Sequence, residues 1–124
     1  MNRAARATID SAALKANLRT LRDAAGARVM AVIKADGYGH GIVPVARALE
    51  QADAFAVARL EEAAAIRDAG LDNRIILLEG VFHAEQLGLA ARLGLELVVH
   101  APEQLAMLEA AIGSARFPVW LKLD

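Results

Sequence analysis

The chain contains no cysteine, which removes disulfide frameworks, thiol nucleophiles and thiolate metal sites at once. Aromatic residues make up 4% of it, prolines number three, and neither sign of charge prevails, with 14 basic side chains against 15 acidic for a net charge of -1. Without a positive surplus there is no field to draw nucleic acid or an anionic bilayer, so neither partner is expected. The longest apolar runs, Val29 to Ile33 and Ile75 to Leu78, fall far short of the roughly 18 to 20 residues that cross a membrane. The arginines near Met1 have no apolar stretch behind them, as a secretory signal would, and a cytoplasmic location is the expectation. Three histidines with no ligand spacing among them give no metal site. Lysine is scarce as well: Lys15, Lys34 and Lys122 are the whole supply.

What the chain does have is rhythm. Short apolar runs begin near Val29, Ala54, Ile75, Glu96 and Pro118, at nearly even spacing over 124 residues, and alanine- and leucine-rich segments separate them. Such alternation predicts parallel β/α units. Helices are expected near Ile42–Gln51, Leu60–Ala69, Ala84–Leu93 and Pro102–Ala111, with Pro44 and Pro102 in first turns and Gly70, Gly94 and Gly113 just past the ends. A further helix, capped by Asp10 or Ser11 and closed by Gly26, should bury Leu14, Leu18 and Leu21 and leave Lys15, Arg19 and Arg22 off that stripe. Ala7-Thr8-Ile9 reads as a lone strand. Five parallel strands fit a flavodoxin-like open sheet at this length, whereas a closed (β/α)8 barrel needs about 250 residues. The last strand runs to Asp124 with no covering helix after it, which argues against the open sheet and for part of a barrel.

One segment carries chemistry. Lys34-Ala35-Asp36-Gly37-Tyr38-Gly39-His40-Gly41 follows the first strand and leads into a helix. Lys34 lies at the carboxyl end of a strand that reads as buried on both faces, where an ammonium ion is costly and a neutral amine becomes a nucleophile for carbonyls. Active sites of α/β folds gather at that end, and glycines there let backbone approach a ligand. The glycines do not have dinucleotide-fingerprint spacing, and the lysine precedes them, so a nucleotide loop is disfavoured. Glu61, Glu62, Arg67, Arg74 and Arg92 read as solvated charges, and His83 and His100 as ordinary loop residues.

The eight-residue segment closely resembles the cofactor-lysine signature of alanine racemases, which are fold-type III pyridoxal-phosphate enzymes. The opening Ala7 to Leu18, Glu61-Glu62-Ala63, Leu77-Leu78-Glu79-Gly80 and Val119 to Asp124 agree in order. The resemblance implies residues 1–9 as a strand joining a C-terminal β-domain, and residues 10–124 as the first part, about five strands, of a TIM-type (β/α)8 barrel, the N-terminal third of such an enzyme. It implies pyridoxal 5'-phosphate on Lys34, which exchanges the α-proton on the D-alanine side, and Tyr38 bonded to the cofactor phosphate. Val32 and Leu78 would lie near the cofactor, though core packing accounts for both equally well. Lys122 matches a lysine that is carbamylated in several members. Strand alternation sets Trp120, Lys122 and Asp124 on one face. The implied activity is interconversion of L- and D-alanine in a homodimer, for peptidoglycan synthesis or L-alanine catabolism. The second base, a tyrosine, lies beyond this segment in the family, so the isolated chain is expected to be inactive. A racemase of another small amino acid such as serine, and a non-catalytic half-barrel that binds the cofactor, are the alternatives.

Overall fold

The computed structural model describes residues 4–111, 113 and 115–123. In chain order the elements are α1 (Ser11–Ala25), β1 (Met30–Val32), a single turn α2 (Lys34–Tyr38), α3 (Ile42–Ala48), β2 (Ala54–Val57), α4 (Leu60–Asp68), β3 (Arg74–Leu77), α5 (Gln86–Arg92), β4 (Leu95–Val99), α6 (Pro102–Ala110) and β5 (Val119–Leu121). Asp10 caps α1 by accepting from the amides of Ala12 and Ala13 at 2.9 and 3.0 Å. Among the described residues, Ala7 to Ile9 join no strand of the sheet, and no helix is long and apolar enough to cross a membrane.

All five strands are parallel and stand in sequence order, β1-β2-β3-β4-β5. This order decides between the two architectures. A doubly wound sheet reverses direction partway and covers both faces, whereas unbroken order with right-handed crossovers puts every helix on one side. Side-chain packing agrees. Phe55, Val57, Ile75, Leu77, Leu95 and Leu97 pack with helix residues Leu18, Val45, Ala63, Ile66, Leu87 and Ala90. Ala54, Ala56, Ile76 and Val98 form a second cluster with Met30 and Leu78 and no helix residue. Trp120 of β5 lines one hollow with Met30, Ala54 and Arg74, although a flat sheet would hold its edge strands about 19 Å apart. The sheet is bent around its helix-free face, as an arc of a (β/α)8 barrel is.

Two expectations change. β1 is an edge strand, with Val32 42% exposed, so it is not buried on both faces. In α1 Leu18 is buried but Leu21 is 60% exposed, because the helix meets the domain along a narrower stripe that includes Arg22. The Arg22 guanidinium donates to the carbonyl of Gln51 and pairs with Asp53 at 3.5 Å.

Candidate functional site

The carboxyl edge of the sheet is built around an unusual turn. Ala35, Asp36, Gly37 and Tyr38 all have positive φ, at 53°, 55°, 63° and 54°. For the three that carry a Cβ this left-handed geometry costs about 1–2 kcal/mol each, so it persists only where the surroundings over-determine it. The amides of Gly37, Gly39 and Gly41 donate to the carbonyls of Ile33, Ala35 and Asp36 at 3.0, 2.9 and 2.8 Å. The Asp36 carboxylate accepts from the Ile42 amide at 2.8 Å and so starts α3. His40 Nδ1 lies 2.9 Å from the Gly37 carbonyl. A Cβ on Gly37 would come within 3.1 Å of Val45 Cγ2. That glycine therefore admits α3 rather than a ligand, in contrast to the expectation for this loop.

Lys34 opens this turn. Alternation along β1 and its register with β2 carry Met30 and Val32 to the concave, helix-free face, while Ile33, just past the strand, packs among the helices and Lys34 follows it. Lys34 is half-buried, not fully desolvated, because the strand beneath it is an edge. Tyr38 stands 58% exposed at the far end of the turn. Leu78, just past β3, packs on the concave cluster, and Lys122 lines a shallow hollow with Leu78, Glu79, Val98 and Trp120. Val32, Leu78 and Lys122 thus share one face near the carboxyl ends of their strands, and Lys34 stands just past the carboxyl end of β1. Among the described residues no enclosed cavity unites them. Asp124 lies outside the described residues.

Several residues that read as solvated charges are engaged. Glu62 Oε2 accepts from the amides of Ala58 and Arg59 at 2.8 and 3.0 Å, and its Oε1 lies 3.4 Å from the Asp36 amide. The signal for this was an acid at the third position of a helix, where capping boxes form. Arg67 donates to the carbonyls of Leu71, Asn73 and Leu93, and burial lowers its pKa. Arg74 reaches Glu96 Oε1 at 2.7 Å, and the hydrogen bond raises its pKa. Gln104 is buried and braces two loops, accepting from the His100 amide and donating to the Glu79 carbonyl, both at 2.8 Å. Gly80 is required beside it, since a Cβ there would lie 2.5 Å from the Val98 carbonyl oxygen.

Fold and site together define the opening arc of a parallel (β/α)8 barrel with a lysine at the carboxyl end of its first strand. The family model for the alanine racemase N-terminal domain matches residues 9–124, and the chain belongs to that family. It is 53% identical to the alanine racemase of Halorhodospira halophila and 54% identical to that of Thioalkalivibrio sulfidiphilus, each over all of this chain and 35% of the relative. The crystal structure of biosynthetic alanine racemase from Pseudomonas aeruginosa superposes with a TM-score of 0.88 at 44% identity, over 94% of this chain and 33% of that one. Alanine racemase of Clostridium difficile in complex with cycloserine matches at a TM-score of 0.68 and 31% identity, over 77% of this chain and 27% of that one. The chain therefore spans about a third of the length of the relatives it matches.

Proposed function

We propose that this chain provides the cofactor-bearing lysine of a pyridoxal-phosphate-dependent alanine racemase. The observation that carries the reading is Lys34, a primary amine just past the carboxyl end of β1 and directly before a four-residue left-handed turn. The donor set fits the group: an amine on a half-buried lysine, a phenol four residues on for a phosphate oxygen, and apolar Val32 and Leu78 on the concave face for a ring. When bound, the cofactor supplies an electron sink that makes the α-proton of an amino acid acidic. Lys34 Nζ then takes or returns that proton on the D-alanine side, and Tyr38 Oη holds the phosphate. The concave hollow keeps Lys122 close to Leu78, and a carbamate on Lys122 belongs to the same reading. So do alanine as substrate, a homodimer, a cytoplasmic location and a second base outside this chain, so that the chain by itself does not racemise alanine.

The test uses the chain's three lysines. Pyridoxal phosphate is added, bound cofactor is fixed with borohydride, and peptide masses locate it. The label should concentrate on Lys34 over Lys15 and Lys122, and Lys34→Ala should remove the visible absorption of bound cofactor without altering the fold. Equal labelling of all three lysines would sink the proposal.

A further inference from the structure

Glu62 sits in the second β/α unit, yet it touches the loop that presents Lys34. Its two oxygens do different work. Oε2 takes the amides of Ala58 and Arg59 and closes the start of α4. Oε1 faces the amide of Asp36, one of the orphan donors at the open end of the left-handed turn. Amides at the start of any helical turn are positive, and a carboxylate placed there is favourable. Of the turn's other bonds, the Gly37 amide reaches back to the Ile33 carbonyl, the amides of Gly39, His40 and Gly41 close the far end, and Asp36 spends its own carboxylate forward on Ile42.

We infer that Glu62 is a positioning residue for Lys34: its carboxylate caps the left-handed turn from the neighbouring loop and thereby fixes where the lysine stands. The inference rests on the reading of Lys34 as the cofactor-bearing amine, but the clamp can be tested without cofactor. Glutamine has one acceptor oxygen instead of two. In Glu62→Gln that oxygen goes to Ala58 and Arg59, which offer two shorter bonds, and the amide nitrogen then meets the Asp36 N–H donor to donor. The variant keeps the cap of α4 and loses the clamp.

Two measurements on the whole chain separate the outcomes. Backbone NMR shifts should show Ala35 to Tyr38 leaving the left-handed pattern in Glu62→Gln, with the Ala58 and Arg59 amides unchanged. The ratio of borohydride-fixed pyridoxal phosphate on Lys34 to that on Lys15 should fall about tenfold, the scale of one hydrogen bond to a charged group. Adding Ala35→Gly should restore the ratio, because glycine adopts positive φ without the penalty that Glu62 offsets. Retention of the left-handed pattern and of the ratio in Glu62→Gln overturns the inference, and so does a fallen ratio that Ala35→Gly does not rescue. Global unfolding of Glu62→Gln, seen in Trp120 fluorescence and the helical signal, also overturns it by making Glu62 a matter of stability alone. If the unaltered chain takes no label on Lys34 while the turn still collapses in the variant, the clamp is upheld and the cofactor reading falls.

Discussion

The two faces of the sheet use the same strands in opposite ways. Toward the helices, Phe55, Ile75, Leu77, Leu95 and Leu97 are each at most 1% exposed and belong to one continuous core. Toward the concave side, four buried residues, two of them alanine, form a thin cluster whose rim is open: Val32 is 42% and Trp120 43% exposed. Most of the apolar area removed from water lies on the first face. Leu78 and Lys122 lie on the second, and Lys34 stands just past the carboxyl end of β1. The fold thus separates what holds it together from the surface that can meet a ligand, and the small concave residues leave room for more of a barrel.

The sharpest way to break that separation is to remove one large side chain from each face. Phe55→Ala should cost about 3–5 kcal/mol, as buried aromatic truncations do, and leave a chain close to unfolding. Trp120→Ala deletes a larger side chain, but one that is already 43% exposed on an edge strand. It should cost less than about 1 kcal/mol. Denaturant titrations of both variants check the order, and a Trp120 loss equal to the Phe55 loss would mean that the concave face bears stability too.

How much of this could be read beforehand differs between the faces. The five strands and the main helices follow from apolar blocks and glycine or proline punctuation, with helices ending one to three residues short of where periodicity carried them. Which face a strand residue takes was hidden. Ala54 to Val57 and Ile75 to Leu78 are apolar throughout, so alternation leaves no mark, and the sequence order of the strands is a long-range fact that local patterns do not encode. At the site, Lys34 was legible from the residues that follow it. The left-handed turn was not: of its three residues with a Cβ only Asp36 belongs to a type enriched at positive φ, and their conformation depends on Val45, Ile42 and Glu62. Arg67 and Glu62 looked solvated because their partners are backbone groups, which composition cannot reveal.

Two buried polar side chains, one in β4 and one in α6, give a second, smaller comparison. Glu96 points to the concave side, 8% exposed, with Oε1 held by Arg74 and Oε2 without a hydrogen-bond partner. Gln104, 7% exposed, uses both of its polar atoms on backbone. Gln104→Leu should lose about 1–2 kcal/mol, since the His100 amide and the Glu79 carbonyl both lose the side chain that joins them. Glu96→Leu should gain about 1 kcal/mol, because a desolvated carboxylate gives way to a side chain suited to Ile76 and Val98 while half-exposed Arg74 returns to water. Thermal unfolding of the two variants tests this, and a Glu96→Leu loss comparable to that of Gln104→Leu would show that the concave carboxylate is satisfied after all.

The smallest effect compares the two ends of the sheet. At the amino end Asp53 accepts from the Val29 amide at 2.7 Å and faces Arg22. The amide bond, followed by the charges of Arg22 and Arg28, holds its carboxyl below the usual carboxylate value despite the opposing effect of burial. A folded-state pKa below the unfolded one means that the unfolded chain binds more protons in that window. Stability from Asp53 is then fully present above the unfolded value and drains away as pH falls through the folded one. In Asp53→Asn an amide oxygen can keep the Val29 bond but has no proton to gain, so the unfolding midpoint should fall less steeply below the carboxylate range than in the unaltered chain. Parallel curves for the two proteins would mean that Asp53 gains nothing from its charge, and that the bond from the Val29 amide, which either side chain can accept, is what it contributes to the amino end.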